Sequence, residues 1–406
     1  MKNLLLSTFF ASVALAYPAD CGQEGDLVGQ VVAGYQGWFG CGQDNFDPYD
    51  GWVHWGDGTN NSVTFDLWPD TREYTNKYQW DVNATLGNGL PATLYDSYDN
   101  QTVDTHFRWM KEHGIHAAAL QRFGTNVAEA NREPHLNGMA EQVAKYSEKH
   151  GVKWYIEWDC SGWTNFTTLL PQDWDQYVSQ WTKTPSYAKQ NGKPVVAVWG
   201  MGVSGRPGTP EDYAGVIEYL QSQGAYVLGG TEAPWRNLTD FYPTFQKLDA
   251  LQPWKVGTFN NVSQAAQDYS LLQGDIEWCN ENGVDYQACV WPGFSWVNLN
   301  HGPPNQIPRE HGQFMWQQFY NLRLLNISTT YIAMFDEYDE GTAIAKAAED
   351  SSMVPDTRYF LTLDADGVHV SSDFYLRVAK DGGEMLKGEL PLLEQCPTPY
   401  TLPGDY

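Results

Sequence analysis

Short apolar runs alternate with amphipathic stretches along most of the chain. The runs lie at 27–35, 115–123, 152–158, 194–199, 225–229, 254–259, 286–291 and 329–335. Between them, apolar residues recur with the helical period over 102–113, 138–150, 210–223 and 310–325. Gly114, Gly151 and Gly224 follow three of these stretches, the signal of a helix C-terminus. Strands that are apolar throughout, rather than alternating, are buried on both faces and belong to parallel sheets covered by helices. Eight such units predict an α/β fold, a single-domain (β/α)₈ TIM barrel over 17–406. The competing open, doubly wound sheet has no G-x-G-x-x-G turn after any strand to support it.

The N-terminus predicts export. Lys2 precedes an apolar run over 4–15 that ends in Ala14-Leu15-Ala16, so residues 1–16 read as a secretory signal peptide. No later stretch reaches the roughly 20 apolar residues that a membrane helix requires. Seven Asn-x-Ser/Thr sequons, at Asn60, Asn83, Asn100, Asn165, Asn237, Asn261 and Asn326, fit a secreted, extracellular glycoprotein. The six cysteines (Cys21, Cys41, Cys160, Cys279, Cys289, Cys396) are then expected as disulfides, with Cys21–Cys41 and Cys279–Cys289 the local pairings. With no C-x-x-C spacing among them, no metal site is expected, and no motif implies a cofactor.

A formal charge of −26 on 406 residues argues against nucleic acid or an anionic membrane as partner, because phosphates would be repelled. The 18 tryptophans point another way. A sugar ring presents apolar C–H faces that stack on flat aromatics, although tryptophan also fills cores.

In a barrel, the residues just after each strand build the active face. Those positions hold Tyr35-Gln36-Gly37-Trp38-Phe39, Gln121-Arg122-Phe123, Glu157-Trp158-Asp159, Trp291-Pro292-Gly293-Phe294 and, last, Phe335-Asp336-Glu337-Tyr338-Asp339-Glu340-Gly341. The last stretch carries four acids in five positions. Crowded carboxylates raise one another's pKa, so a protonated acid and an ionised base can coexist, which glycosidic cleavage requires. A solvated acidic turn capping a helix from Thr342 explains the same residues, and a calcium loop fits less well because the D-x-[DN]-x-[DN]-G register is missing. Tyr35, Trp38, His54 and Trp55 suit either a substrate wall or core packing. Arg122 is expected to pair with Glu157 across neighbouring strand ends.

The stretch 331–347, YIAMFDEYDEGTAIAKA, resembles the signature of glycoside hydrolase family 99, the endo-α-mannosidases, roughly F-N-E-W-H-E-G-T-x-I-x-K-A. GYQGWF at 34–39 and His54-Trp55 are similar to that family's Y-Y-x-W-Y-G and H-W, and WYIE at 154–157 to its I-E element. The resemblance extends to the broader family 71/99-like proteins. It implies a barrel and a retaining hydrolase acting on α-linked mannose-type or related neutral glycans. In such enzymes the substrate's own 2-hydroxyl attacks the anomeric carbon to give a 1,2-anhydro sugar. Carried over, Glu337 assists the 2-hydroxyl and Glu340 is the acid/base. Glu157 is the implied binding or electrostatic residue beside the scissile bond, and Tyr35, Trp38, His54, Trp55, Asp336 and Tyr338 are the other expected substrate-binding residues. The chain departs from the motif at Asp336, Tyr338-Asp339 and Gln121-Arg122-Phe123, where the endo-mannosidases carry Asn, Trp-His and S-W-Y. Two further readings stay open: an α-1,3-glucanase of family 71, and a barrel that binds carbohydrate without cleaving it.

Overall fold

The structure, a computed structural model, describes residues 25–42 and 51–403. The expected signal peptide and Cys21 lie outside the described residues.

The wall of the barrel is built by β1 (Val31–Tyr35), β2 (Ala117–Phe123), β3 (Lys153–Asp159), β4 (Lys193–Trp199), β5 (Tyr226–Glu232) and β6 (Ala250–Trp254). It continues through β7, which runs as Asp285–Tyr286 and Ala288–Val290, and β8 (Thr330–Ile332). All these pairings are parallel and join neighbours in order from β1 to β6. β7 closes the ring with its two halves: the first pairs with β6 and the second with β8, which returns to β1. The predicted barrel is therefore observed. Ala117, Ala118, Ala119, Val195, Val196, Ala197 and Val198 are all inaccessible. This is why β2 and β4 read as continuous apolar runs: each faces the lumen on one side and helices on the other.

The outer layer comprises α1 (Asn100–Glu112), α2 (Glu133–His150), α3 (Phe166–Asp173), α4 (Pro210–Ser222), the single turn α5 (Tyr242–Phe245), α6 (Tyr269–Asn282), α7 (Gln313–Leu324) and α8 (Phe374–Leu386). The sequence places α1, α2, α4 and α7 within a few residues of their observed ends. Local chemistry explains the accuracy. Thr209 and Asp212 cap the start of α4 reciprocally, Pro210 opens it, and Gly151 ends α2 at φ 67.

Two elements differ from expectation. The sixth strand is Ala250–Trp254, not 254–259. Pro253 lies inside it and makes the run read as a break, since proline lacks the ladder N–H. No helix starts at Thr342. Residues 342–348 have helix-favouring composition, but Ile344 and Ala345 donate to the Met334 and Phe335 carbonyls, and Ala348 donates to Trp68. Nearly every side chain there is buried, so tertiary pairing overrides local propensity.

The segment between β1 and α1 interlocks with the one between β8 and α8. Asp66 and Leu67 both donate to the Tyr338 carbonyl, and Leu361 donates to Asp66. Phe39, Trp55, Phe65 and Tyr95 pack around Tyr338 and one another in this second, aromatic core.

Among the described residues no disulfide is formed. Cys289 shares register with Tyr331, whose hydroxyl reaches Glu157 inside the barrel, so Cys289 faces the lumen. Cys279 lies on α6, outside the wall. The strand separates the two sulfurs, and the expected Cys279–Cys289 bond is not made. No helix among the described residues is long and apolar enough to cross a membrane.

Candidate active site

Strand alternation decides which side chains enter the lumen. Gln121, Glu157 and Ala197 share one register level, and Asp159 and Trp199 share the next level up on the same face. Glu232 and Trp254 are paired in the same way on β5 and β6. Arg122 and Trp158 lie between these levels and point outward. Both donate to the buried Asp173 of α3, Arg122 through two bonds of 2.7 and 2.6 Å. This corrects the expected Arg122–Glu157 pair: neighbours in sequence on a strand face opposite sides.

The inward residues open into a cavity of about 370 Å³ at the C-terminal end of the strands. Glu337, Glu340 and Glu157 line it together, with Gln36, Trp38 and Phe123 on one flank and Asp159, Trp199, Arg206, Glu232 and Trp254 on the other. Gly34 makes the floor possible: a Cβ there would stand 2.2 Å from the Tyr331 hydroxyl. That hydroxyl donates to Glu157 at 3.1 Å.

The turn after β8 brings its two glutamates to the cavity by folding back on itself. Tyr338 donates to the Asp336 carbonyl and Thr342 to that of Glu337. Arg309, behind the turn, donates to the Gly341 and Ala343 carbonyls at 2.8 and 2.7 Å. Asp336 accepts the backbone N–H groups of Gln36 and Gly37 at 2.7 and 2.9 Å, tying β8 to β1. Glu337 accepts from the Gln36 amide at 2.7 Å through Oε2, while its buried Oε1 has no partner among the described residues.

Burial is the main cause of the electrostatics here. It raises Glu337 well above the ordinary carboxylate range, with Asp339, Glu340 and Asp336 adding repulsion. Glu340 is pushed up to about 7 by burial and then by Asp339. Asp336 rises to about 7 for the same first reason, against the lowering effect of its backbone donors. Glu157 rises to about 8 through burial, although Tyr331 opposes the shift. So many buried acids cannot all ionise, and near neutral pH the site holds both protonated and ionised carboxyls. A proton donor and an acceptor on one turn, beside stacking aromatics, can carry out general acid–base work on a sugar.

The other residues singled out in the sequence divide between wall and core. Trp38 lines the cavity. Tyr35, Trp55 and Tyr338 are inaccessible, so core packing replaces the substrate contact implied for them. Tyr35 bonds His106 at 3.0 Å, Trp55 donates to the Tyr95 carbonyl at 2.9 Å, and the Tyr338 hydroxyl donates to the Lys346 carbonyl at 3.0 Å. Asp336 is likewise closed off by its backbone donors. His54 stands behind Trp38 rather than in the cavity wall, bonded to Asp339. The acidic turn is buried and precedes no helix, so it is not a solvated helix cap.

Sequence reasoning passed over Trp199, Arg206, Glu232 and Trp254. Glu232 was lost because Gly229-Gly230 reads as the end of β5, and Trp254 because the β6 register was four residues late. The strand-end rule finds both once the strands are correctly bounded.

No protein-family model matches the chain, and no curated protein matches it. Solved structures do. The family 99 endo-α-mannosidase of Bacteroides thetaiotaomicron superposes with a TM-score of 0.67 at 15% identity, over 89% of this chain and 98% of that one. The same enzyme in complex with bis-tris-propane gives 0.64 with the same identity and coverage. A glycoside hydrolase-like protein gives 0.55 at 14% identity, over 93% of this chain and 97% of that one. The family resemblance carried by a few short motifs thus meets a likeness of the whole fold to glycoside hydrolases of that kind.

Proposed function

We propose that the protein is a secreted retaining glycoside hydrolase acting on α-linked mannose-type or related neutral glycans. One observation carries the reading: two glutamates of the β8 turn, with proton affinities raised by burial, open together into a Trp-walled cavity. The fold likeness to an endo-α-mannosidase supports the choice of glycan.

A sugar stacked on the aromatic wall would present its 2-hydroxyl to Glu337, whose carboxyl group Gln36 holds through Oε2. The two carboxyls titrate as a pair, and the pathway uses the form in which Glu337 is ionised and Glu340 holds the shared proton. Glu337 takes the hydroxyl proton as the 2-oxygen bonds to the anomeric carbon, and the glycosidic bond breaks. Glu340 gives its proton to the departing oxygen, and a pKa of about 7 suits a group that must donate and then accept. In the second half Glu340 takes a proton from water, water opens the anhydro ring, and Glu337 returns its proton to the 2-oxygen.

The test is incubation with α-mannan oligosaccharides and α-1,3-glucan, with released sugars identified and a 2-O-methylated substrate run beside them. Release from the mannose series, and none from the blocked substrate, is expected. Cleavage of the blocked substrate at a normal rate overturns the anhydro pathway. Binding without release returns the protein to a carbohydrate-binding barrel. Export has its own support in the exposure of Asn83, Asn100, Asn165, Asn237, Asn261 and Asn326. N-glycosidase treatment of protein from a eukaryotic host should lower its mass, and an unchanged mass counts against the secretory route.

A further inference from the structure

Asp339 stands between the two glutamates in sequence but is not part of the cavity wall. Its Oδ2 lies 2.7 Å from His54 Nδ1. The imidazole in turn lies flat on Trp38, with ring centroids 3.8 Å apart and planes within 7°. Trp38 stacks on Phe123 at 5.1 Å, and both line the cavity. His54 is held in place at φ 61, a left-handed conformation uncommon for a residue with a side chain. The Thr64 hydroxyl donates to its carbonyl. An unbroken stack therefore runs from the aromatic wall through His54 and Asp339 to the turn that carries Glu337 and Glu340.

We propose that His54 and Asp339 form a proton-sharing tether that holds the Trp38 wall against the carboxylate turn and sets the negative charge that Glu337 and Glu340 face. Both are positioning residues. Neither lines the cavity, and the catalytic part of the inference rests on the hydrolase reading above.

The neighbours of the pair make the direction of its influence definite. Asp339 faces His54 and, through charge, Asp66. Glu337 feels Asp339, Glu340 and Asp336, and Glu340 feels Asp339. Arg309 reaches only backbone carbonyls of the turn. Across the cavity stand Glu157, Asp159, Glu232 and Arg206. Asp339 thus repels both glutamates, and His54 is its hydrogen-bonded partner. Removing the negative charge of Asp339 must ease ionisation of both glutamates. The His54 hydrogen bond opposes the upward pull of burial on Asp339, so removing His54 leaves Asp339 harder to ionise and eases ionisation of the glutamates in the same direction.

The experiment is a pH titration of protein labelled with ¹³C at the glutamate carboxyls, the two signals being assigned with Glu337→Gln and Glu340→Gln. In Asp339→Asn the midpoints of both glutamates should fall by about one pH unit, the low end for loss of a like charge at contact range. In His54→Gln they should fall too, by less, because Asp339 loses the partner that opposes its burial. His54 is partly exposed, so its variant keeps the test alive should Asp339→Asn not fold. Midpoints unchanged within a few tenths in the variants that fold, or shifts of opposite sign, overturn the tether. If glycan is cleaved, the alkaline limb of kcat/KM should move with the midpoints. A purely structural role would lower the rate and leave that limb in place, which also counts against the proposal. Lack of turnover on every glycan counts against the hydrolase reading alone, because the titration needs no substrate.

Discussion

The two flanks of the cavity are built differently. On the β8–β1 flank, carboxylates are buried and tied down: Asp336 by two backbone donors, Glu337 by Gln36, Asp339 by His54. On the β3–β5 flank, Arg206 is exposed over the Trp199 ring at 5.6 Å, and Glu232 is only partly buried. Buried, fully determined groups keep perturbed proton affinities and fixed geometry, as bond cleavage needs. On the second flank burial also raises Asp159, but Arg206 stays exposed to solvent. Under the proposed hydrolase reading, the contrast would place chemistry on the first flank and choice of substrate on the second.

The strongest way to break that division is to remove a single charge from the first flank. Glu337→Gln and Glu340→Gln should each keep the fold and lose on the order of 10²–10⁴ in rate, the scale of general acid–base catalysis. An activated aryl glycoside needs little protonation of its leaving group, so it should partly rescue Glu340→Gln and leave Glu337→Gln inactive. Full activity in both variants would move the chemistry elsewhere.

Next in size is the anchor beneath them. Asp336→Ala strands two buried N–H groups, each costing about 1–3 kcal/mol. Chemical denaturation should show a loss of several kcal/mol, and a loss below about 1 kcal/mol would mean the β8–β1 tie is not a stability element.

The second flank should respond more gently. Arg206→Ala and Glu232→Gln should raise KM by about tenfold, the worth of one hydrogen bond to a charged group. They should spare kcat and change stability by no more than about 0.5 kcal/mol, as surface changes do. A fall in kcat with KM unchanged would place these residues with the chemistry instead.

Glu157 lies at the boundary, and its effect shows as a pH dependence of stability. Its folded pKa of about 8 exceeds the ordinary glutamate value, so the folded state holds a proton that the unfolded state releases. Its contribution is fully present below the unfolded pKa and is lost as pH rises to about 8. Thermal scans of Glu157→Gln should therefore gain on the unmutated protein as pH increases across that window. A constant difference would show that Glu157 titrates alike in both states.

Much of this was legible along the chain because it depends on local chemistry. Parallel strands buried on both faces leave unbroken apolar runs, caps leave Thr-Pro and Gly at helix ends, and a barrel concentrates function at strand ends. What was not legible depended on contacts distant in sequence. Arg122 reads as a neighbour of Glu157 until strand alternation turns it outward to Asp173. Tyr35, Trp55 and Tyr338 read as a binding wall because an aromatic residue looks the same whether it faces a cavity or a second core.

The sequence by itself determined the barrel, its order of elements and the acidic turn after the last strand, since periodicity and composition encode burial locally. Only the tertiary structure decided that 342–348 would bond back to the β8 turn and on to the β1–α1 segment in place of a helix, and which acids would share protons. It also decided that His54 would meet Asp339 from 285 positions away. The physical reason is that proton affinity and backbone pairing are set by what surrounds a group, and those surroundings exist only once the chain has closed.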